Sequence, residues 1–576
     1  MPILFSTKSK KIKMKKLIEC VPNFSEGRDL KIIKQITDAI ESVDGIKLLD
    51  VDPGAATNRT VVTFVGEPEA VLDAAILGMN KAKELIDMRK QSGAHPRFGA
   101  TDVCPLIPVS NISMDETVKW AHKLAKRAGE ELNYPIYCYE NAAQKPERKN
   151  LASVRSGEYE GLKKKLSNPD WQPDFGPATF VPETGATAVG ARDFLVAFNV
   201  NLNTTSTRRA NAIAFDVRER GRVKREGNPI TGKIVYDKQG QKVMIPGSLK
   251  AVKAIGWYIE EYGIAQISMN LTNINITSVH QAFDAVCKSA ESRGIRVSGS
   301  ELVGVMPLNA MLEAGRYFLR KQKRSLGVSH EELIKIAVKS MGLDDLKPFN
   351  PRENIIEYLL EDQNEKKLVD MNLEEFANET ASESPAPGGG SISAYVGALG
   401  ISLGTMVANL SSHKPGWDDR WEEFSHYAEQ GQKHKDKLLY LVDEDTNAFN
   451  KIMDAFKLPK TNDTEKAQRK AAIEEASKYA IQIPFQVMET SLKSMEVIQA
   501  MAEIGNPNSV SDAGVGALCA RSAVMGAYLN VKINASGLSD KAFVDDILER
   551  GKAIEEEAQK REKKILEITN QKINPS

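Results

Sequence analysis

Two short stretches hold most of the residues able to do chemistry. The first is Gln91–Val109, QSGAHPRFGATDVCPLIPV. Pro96 steers His95 away from helix, and Gly93 and Gly99 permit tight turns on either side, so the loop presents His95, Arg97 and Asp102 with little freedom. An imidazole, a guanidinium and a carboxylate held together can move a proton and hold a carboxylate ligand. The same residues also suit a loop whose His and Arg cap backbone carbonyls. The second stretch is Lys435–Phe456, where Leu438, Val442, Phe449, Ile452 and Phe456 form an apolar stripe at helical spacing. Asp445 falls on that stripe, and Asp443 and Glu444 fall off it. A carboxylate facing a core is costly unless it is paired or used. Burial raises its pKa toward the range of an acid–base group that works near neutral pH. A hydrogen-bonded structural Asp would satisfy the same pattern.

Three loops could serve these groups. Gly176–Gly185 (GPATFVPETG) combines two glycines, two prolines and a phenylalanine; it could line a slot for a flat heterocycle or simply turn the chain. Ser384–Ser391 (SPAPGGGS) runs into a stretch of small residues. A Gly-rich turn ahead of a helix exposes N–H groups to an anion, but the lysine of a nucleotide-binding P-loop is missing. Ser511 and Asp512, in the polar GNPNSVSD segment, could support chemistry or cap a helix.

The elements that must position these groups follow from periodicity. LIECV, IKLLDV, RTVVTFVG and CPLIPV read as strands; Asp29–Ser42 and Glu67–Met88 read as helices. That order is βαββαβ. A helix over Asp115–Leu132 and a strand at PIYCY follow. The plan partly recurs: FLVAFNVNL alternates as a half-buried strand does, Arg208–Arg218 and Val279–Arg293 read as helices, KAIGWYIEEYGIAQISMNLTN as two strands around a turn, and IRVSGSELVGVMP as a closing strand. KIVYDKQGQKVMIP reads as an added surface hairpin turning near Lys238, Gln239 and Gly240. Helical patterns dominate beyond Ser329. The expected architecture is an α/β (α+β) part of two subdomains with βαββαβ-like sheets, residues 14–193 and 194–360, then a linker over 361–368 and an all-α helical bundle over 369–576. Residues 1–13 read as a tail ahead of Met14.

Composition narrows the function. Across 576 residues, 77 Lys and Arg balance 77 Asp and Glu, so no global field favours nucleic acid or an anionic membrane. Five scattered cysteines and seven scattered histidines argue against a disulfide framework or a metal site. Ser391–Leu410 is uncharged and long enough to span a bilayer. It is weakly hydrophobic and lacks basic or aromatic anchors, so it reads as a central packed helix.

The motifs ECVPNFSEG (Glu19–Gly27), DVDPGAATNRTVVTFVG (Asp50–Gly66), GAHPRFGATDVCPLIPV and DFGPATFVPETGATAVGARDFLVAFNVNL occur in order over about Met14–Leu360. APGGGS, LVDEDTNAFNKIMDAFKLPK, GNPNSVSDAGVGA and GAYLNVKIN follow over about Val369–Ser576. Together they resemble the formimidoyltransferase-cyclodeaminase family. The resemblance implies that His95 is the base of a formimidoyl transfer from N-formimidoyl-glutamate to tetrahydrofolate. It implies that Gly176, Pro177, Ala178, Thr179, Phe180, Val181, Pro182, Glu183, Thr184 and Gly185 bind the folate, and that Asp445 is the catalytic carboxylate of the cyclodeaminase. Arg97 is a candidate partner for a glutamate carboxylate, and Asp52 and Asp102 are candidates to orient the base or bind the amidinium. The family implies tetrahydrofolate, polyglutamylated, as co-substrate with no metal and no nucleotide, small-molecule partners only, a cytoplasmic location, and a homo-oligomer built from dimers up to an octamer. Two departures stand out: Ala94 replaces the glutamate of vertebrate members, and the Lys233–Pro246 hairpin is extra. The alternatives are a transferase whose C-terminal half serves only assembly, and a non-catalytic folate-binding or scaffold protein.

Overall fold

Strands that alternate with amphipathic helices pack onto one another by burying one face of each element. The computed structural model describes residues 16–54, 58–93, 97–227, 231–360 and 367–574. The chain divides into two units, Met1–Ala314 with Val338–Glu361, and Gly315–Ala337 with Asp362–Ser576.

The first unit opens with β1 (Leu17–Cys20), β2 (Asn23–Phe24), α1 (Leu30–Glu41), β3 (Lys47–Gly54), β4 (Arg59–Gly66), α2 (Pro68–Leu85), β5 (Thr101–Ser110), α3 (Met114–Leu132), β6 (Ile136–Glu140), α4 (Leu151–Val154), α5 (Glu158–Leu166) and β7 (Thr187–Ala191). Local chemistry sets the helix starts. Asp29 caps α1 by accepting from the N–H groups of Lys31 and Ile32, and Ser113 with Glu116 forms a capping box on α3. The strands make one seven-stranded sheet, with β1 and β2 both lying between β4 and β5. Pairing is antiparallel except for β5–β7 and β6–β7. Ile36, Ile40, Leu72, Met79, Leu124 and Ala128 cover one sheet face with an apolar core.

A second sheet follows, from β8 (Val196–Leu202), α6 (Thr207–Val217), β9 (Arg222–Val223), β10 (Met244–Ile245), β11 (Val252–Ile259), β12 (Ile264–Leu271), α7 (Val279–Glu291) and β13 (Val297–Val303). Its order is β11-β12-β8-β13, all antiparallel. The half-buried reading of β8 needs correction. Phe198, Val200 and Leu202 are buried as expected, but Asn199 and Asn201 on the opposite face are buried too. Asn201 donates to Asp345 (3.0 Å) and accepts from Gln266 (2.8 Å), and Asn199 donates to Glu301 (3.2 Å), so side chains rather than solvent satisfy that face. The added hairpin forms: Asp237 N donates to the Gln241 carbonyl (2.8 Å) around Gly240, and the returning arm pairs with β9.

Helices continue through α8 (Leu308–Lys321), α9 (His330–Met341), α10 (Pro351–Asn354), α11 (Ile356–Leu359), α12 (Leu373–Thr380), α13 (Gly389–Ser412), α14 (Trp421–Lys457), α15 (Asp463–Ile504), α16 (Val510–Ala535) and α17 (Lys541–Ile573). In the second unit α13 packs against α14, α15 and α16. Its small residues permit the approach: Gly397 lies against Ser491 and Ala523, Gly400 against the Gly516 carbonyl, and Gly404 against Ile498. By length and composition α13 could cross a membrane, yet most of its apolar window is buried inside this unit. α14 starts at Trp421 rather than Lys435, and its stripe is buried only in part. Leu438 and Val442 are fully covered, whereas Phe449 and Phe456 are 43% and 49% exposed.

Two candidate active sites

The first site gathers three loops of the first sheet. Residues 94–96 lie outside the described residues, so the position of His95 is not among the observations; its flanks are. Ahead of it, Asn58 is buried in a left-handed conformation (φ 50°) that asparagine tolerates. The Asn58 side-chain oxygen accepts from Gly27 N (3.1 Å), and its amide donates to the Gln91 side chain and to the Ser92 carbonyl (3.1 Å). Gln91 in turn donates to the buried Glu26 (3.1 Å), whose other oxygen accepts the N–H groups of Arg28 (2.8 Å) and Asp29 (3.0 Å). Glu26, Asn58 and Gln91 therefore tie ECVPNFSEG, ATNRT and the stem of the His95 loop into one network.

Beyond the loop, Arg97 donates to the Gln91 carbonyl (2.9 Å) and to Glu160 (3.0 Å), with Glu158 at 3.6 Å. Phe98 N donates to Asp102 (3.1 Å), and Arg155 forms an ion pair with the second Asp102 oxygen. Asp102 is fully buried, and burial pushes its carboxyl up to about 6 although Arg155 pulls it down. Asp52 is exposed on β3. Of the three predicted binding residues, only Asp52 is free of such ties to its own chain in the printed geometry of hydrogen bonds and ion pairs. Arg97 and Asp102 are occupied in shaping the loop.

The Gly176–Gly185 loop joins the same place. Gly176 (φ 78°) and Gly185 (φ 74°) are left-handed, and a Cβ at either would run into the carbonyl of Tyr134 or Phe98. Ala186 N donates to Phe98 O (2.9 Å), Ala100 N to Thr184 O (2.8 Å), and Met88 N to Glu183 O (2.9 Å). Phe180 packs on Tyr159, ring centroids 5.6 Å apart, and the Tyr159 hydroxyl donates to Pro182 O (2.6 Å). Because Tyr159 N also donates to Arg97 O (2.9 Å), α5 bridges the two loops. Ala178, Thr179, Pro182 and Glu183 stay exposed along the loop rim. Arg155, Tyr159 and Glu160 carried no sequence signal beyond the turn-prone SGEYEG, whereas Glu26, Asn58 and Arg59 sat inside recognisable motifs.

The second site is built on α13 and α14. Asp445 Oδ2 accepts from the backbone N–H (2.9 Å) and the hydroxyl (3.2 Å) of Ser391. That hydroxyl also reaches the Val442 carbonyl (2.9 Å). A Cβ on Gly390 would strike the Asp445 carboxylate, so the glycine run admits the carboxylate to the start of the helix. Burial pushes the Asp445 carboxyl up and the two Ser391 bonds oppose this without cancelling it. Glu444, read from sequence as off the stripe, is in fact buried. Tyr479 and Lys451 bind its carboxylate, and with Tyr440 they outweigh burial and hold it below the usual range. Neighbouring carboxylates pushed in opposite directions suit an acid–base group beside a permanent anion. Ser511 and Asp512 lie in the first turn of α16, where an acidic residue complements the helix dipole. Among the described residues no three His, Cys, Asp or Glu side chains are grouped as a metal site needs.

Three family models match the chain in order: formiminotransferase domain, N-terminal subdomain, over residues 17–192; formiminotransferase domain over 197–361; and formiminotransferase-cyclodeaminase over 372–553. The formimidoyltransferase-cyclodeaminase of Rattus norvegicus is 41% identical over 546 residues, 95% of this chain and 97% of its own. A glutamate formimidoyltransferase of Thermoplasma acidophilum is 40% identical over 306 residues, 53% of this chain and 92% of its own. A methenyltetrahydrofolate cyclohydrolase of Methylorubrum extorquens is 35% identical over 202 residues, 35% of this chain and 97% of its own. A mixed α/β part followed by a helical part, each with its own site, is thus a two-headed enzyme of folate one-carbon chemistry. The chain belongs to the formimidoyltransferase-cyclodeaminase family. It joins the transferase and the cyclodeaminase of histidine degradation in one polypeptide.

Proposed function

We propose that His95 and Asp445 carry the two steps. In the first, N5 of tetrahydrofolate attacks the amidine carbon of N-formimidoyl-glutamate. The N5 proton leaves, the glutamate nitrogen gains one, and the bond from carbon to that nitrogen breaks. One histidine titrating near neutrality serves as base and then as acid. The Glu26–Asn58–Gln91 network and the Arg97 brace hold both flanks of the segment that carries it. The Gly176–Gly185 loop, with Phe180 on Tyr159, seats the folate. In the second step N10 attacks the same carbon of 5-formimidoyltetrahydrofolate, its proton passes to the carboxylate, and the former imino nitrogen leaves as ammonia. The product is 5,10-methenyltetrahydrofolate. A carboxyl raised toward neutrality can both take and return that proton.

The observation that carries this reading is Asp445: a buried carboxyl, raised by its surroundings, at the glycine-opened start of α13. A helix used only for assembly would place an apolar side chain there. Polyglutamylated folates, a homo-oligomer of dimers up to an octamer, and a cytoplasmic location are supported by the family resemblance alone.

The test supplies formimidoyl-glutamate and tetrahydrofolate and follows methenyltetrahydrofolate by absorbance together with free ammonia. Wild type should form both, His95→Ala neither, and Asp445→Ala should stop at 5-formimidoyltetrahydrofolate. Consumption of formimidoyl-glutamate by wild type without ammonia would make the helical half an assembly domain and remove the role of Asp445.

A further inference from the structure

Two guanidiniums meet beside the His95 segment. Arg155 is ion-paired to Asp102, whose other oxygen is taken by Phe98 N (3.1 Å). The Arg155 Nε–H is buried and meets no acceptor among the described residues. Arg59 stands near enough to Arg155 to be repelled by it, and near enough to Asp102 and Asp52 to be attracted. Burial and Arg155 outweigh the two carboxylates, so the positive charge of Arg59 is disfavoured where it sits. An arriving anion would relieve that. A buried donor without an acceptor is also uncommon in folded proteins and calls for a partner.

The position matters as much as the charge. Asn58, the neighbour of Arg59, donates to the Ser92 carbonyl (3.1 Å) on one side of the segment, and Asp102 accepts from Phe98 on the other. The arginines therefore belong to the cluster that grips both ends of the stretch containing His95. Arg97 is committed elsewhere, to Gln91 O, Glu160 and Glu158. We infer that Arg59 and Arg155 bind a carboxylate of the glutamyl donor, so that the cluster positioning the loop also seats the group losing its formimidoyl unit. Planar guanidiniums suit this, since each can present two parallel N–H donors to one carboxylate.

The inference rests on the transferase reading, so full-length wild type is assayed first. Failure to consume formimidoyl-glutamate overturns that reading and this inference with it. Given turnover, Arg59→Met should raise KM for formimidoyl-glutamate about 10- to 100-fold, the range of a lost charge-assisted bond. KM for tetrahydrofolate should stay within about twofold. Arg59→Lys, which keeps the charge and loses the fork, should fall between. N-formimidoyl-norvaline and N-formimidoyl-γ-aminobutyrate each lack one donor carboxylate. Whichever wild type handles worse should be discriminated against less by Arg59→Met. An unmoved KM for formimidoyl-glutamate in Arg59→Met overturns this inference alone, as does an equal rise in both KM values. If Arg59→Met shows no turnover, with cyclodeaminase activity and melting midpoint as in wild type, calorimetry decides: lost affinity for formimidoyl-glutamate supports the inference and retained affinity overturns it. If Arg59→Met melts early, Arg59→Lys carries the test, and an unchanged KM there overturns it.

Discussion

Ser391 gives Asp445 two hydrogen bonds on one oxygen, from its backbone N–H at 2.9 Å and its hydroxyl at 3.2 Å. Both favour the charged form, so they restrain a carboxyl that burial drives upward. Ser391→Ala keeps the backbone bond and removes the other. The acidic limb of the cyclodeaminase pH profile should then move to higher pH by on the order of one unit, since a net hydrogen bond is worth roughly 1 kcal/mol. The measurement is kcat/KM against pH with 5-formimidoyltetrahydrofolate; a limb that stays put removes the link between Ser391 and the working ionisation.

Asp445→Asn should separate activity from stability. Cyclisation should fall by about 10²–10⁴-fold, the span of a lost acid–base group, with the transfer step intact. The native carboxyl is raised, so between its ordinary value of 3.8 and its folded value the native state holds more protons than the unfolded state. Wild-type stability therefore falls as pH rises through that window. The asparagine variant lacks this term. It should melt higher than wild type near pH 7, and the difference should shrink as pH drops toward the unfolded value. Thermal scans across pH check the sign.

Gly390→Ala tests the packing that admits the carboxylate. The new methyl would meet the Asp445 carboxyl group, which cannot retreat without giving up Ser391. Cyclodeaminase turnover should be lost and formimidoyl transfer kept, read in the same coupled assay with each substrate supplied in turn. Full cyclodeaminase activity would show that the carboxylate need not lie where it does.

Gln91→Ala breaks the chain from Glu26 to Asn58 at its middle. We expect transferase kcat to fall roughly tenfold, because a small misplacement of a reacting group is costly, while cyclodeaminase turnover on supplied intermediate is unchanged. A wild-type kcat would mean that the network serves only folding.

Arg97→Lys distinguishes a brace from a ligand. A lysine cannot span the Gln91 carbonyl, Glu160 and Glu158 as the guanidinium does. Transferase kcat should drop with KM for formimidoyl-glutamate within about twofold. A KM raised tenfold or more would return the donor carboxylate to Arg97.

The order of strands and helices was legible because each element carries its own period and its own cap, as the isoleucines of α1 behind Asp29 and the capping box of α3 do. The alternation of β8 was legible only on one face. Asn199 and Asn201 look solvent-facing in sequence, and are buried because Glu301, Asp345 and Gln266 arrive from distant segments to bond them. The stripe on α14 misled in the same way: Phe449 and Phe456 keep the helical spacing, but no neighbouring element covers them. Glu444 fell off the stripe and is buried because α15 brings Tyr479 to it.

Read alone, the residues were enough to single out His95 by its Pro- and Gly-bounded loop, Asp445 by its place on an apolar stripe, and two differently folded halves by their periodicities. Those are properties of neighbours in the chain, and backbone sterics and helical spacing act over a few residues. Which carboxylates are charged, which arginine braces and which is left facing another, and that Ser391 meets Asp445 are set by segments tens of residues apart. Burial and Coulomb forces depend on distance in space, so only the folded chain could settle them.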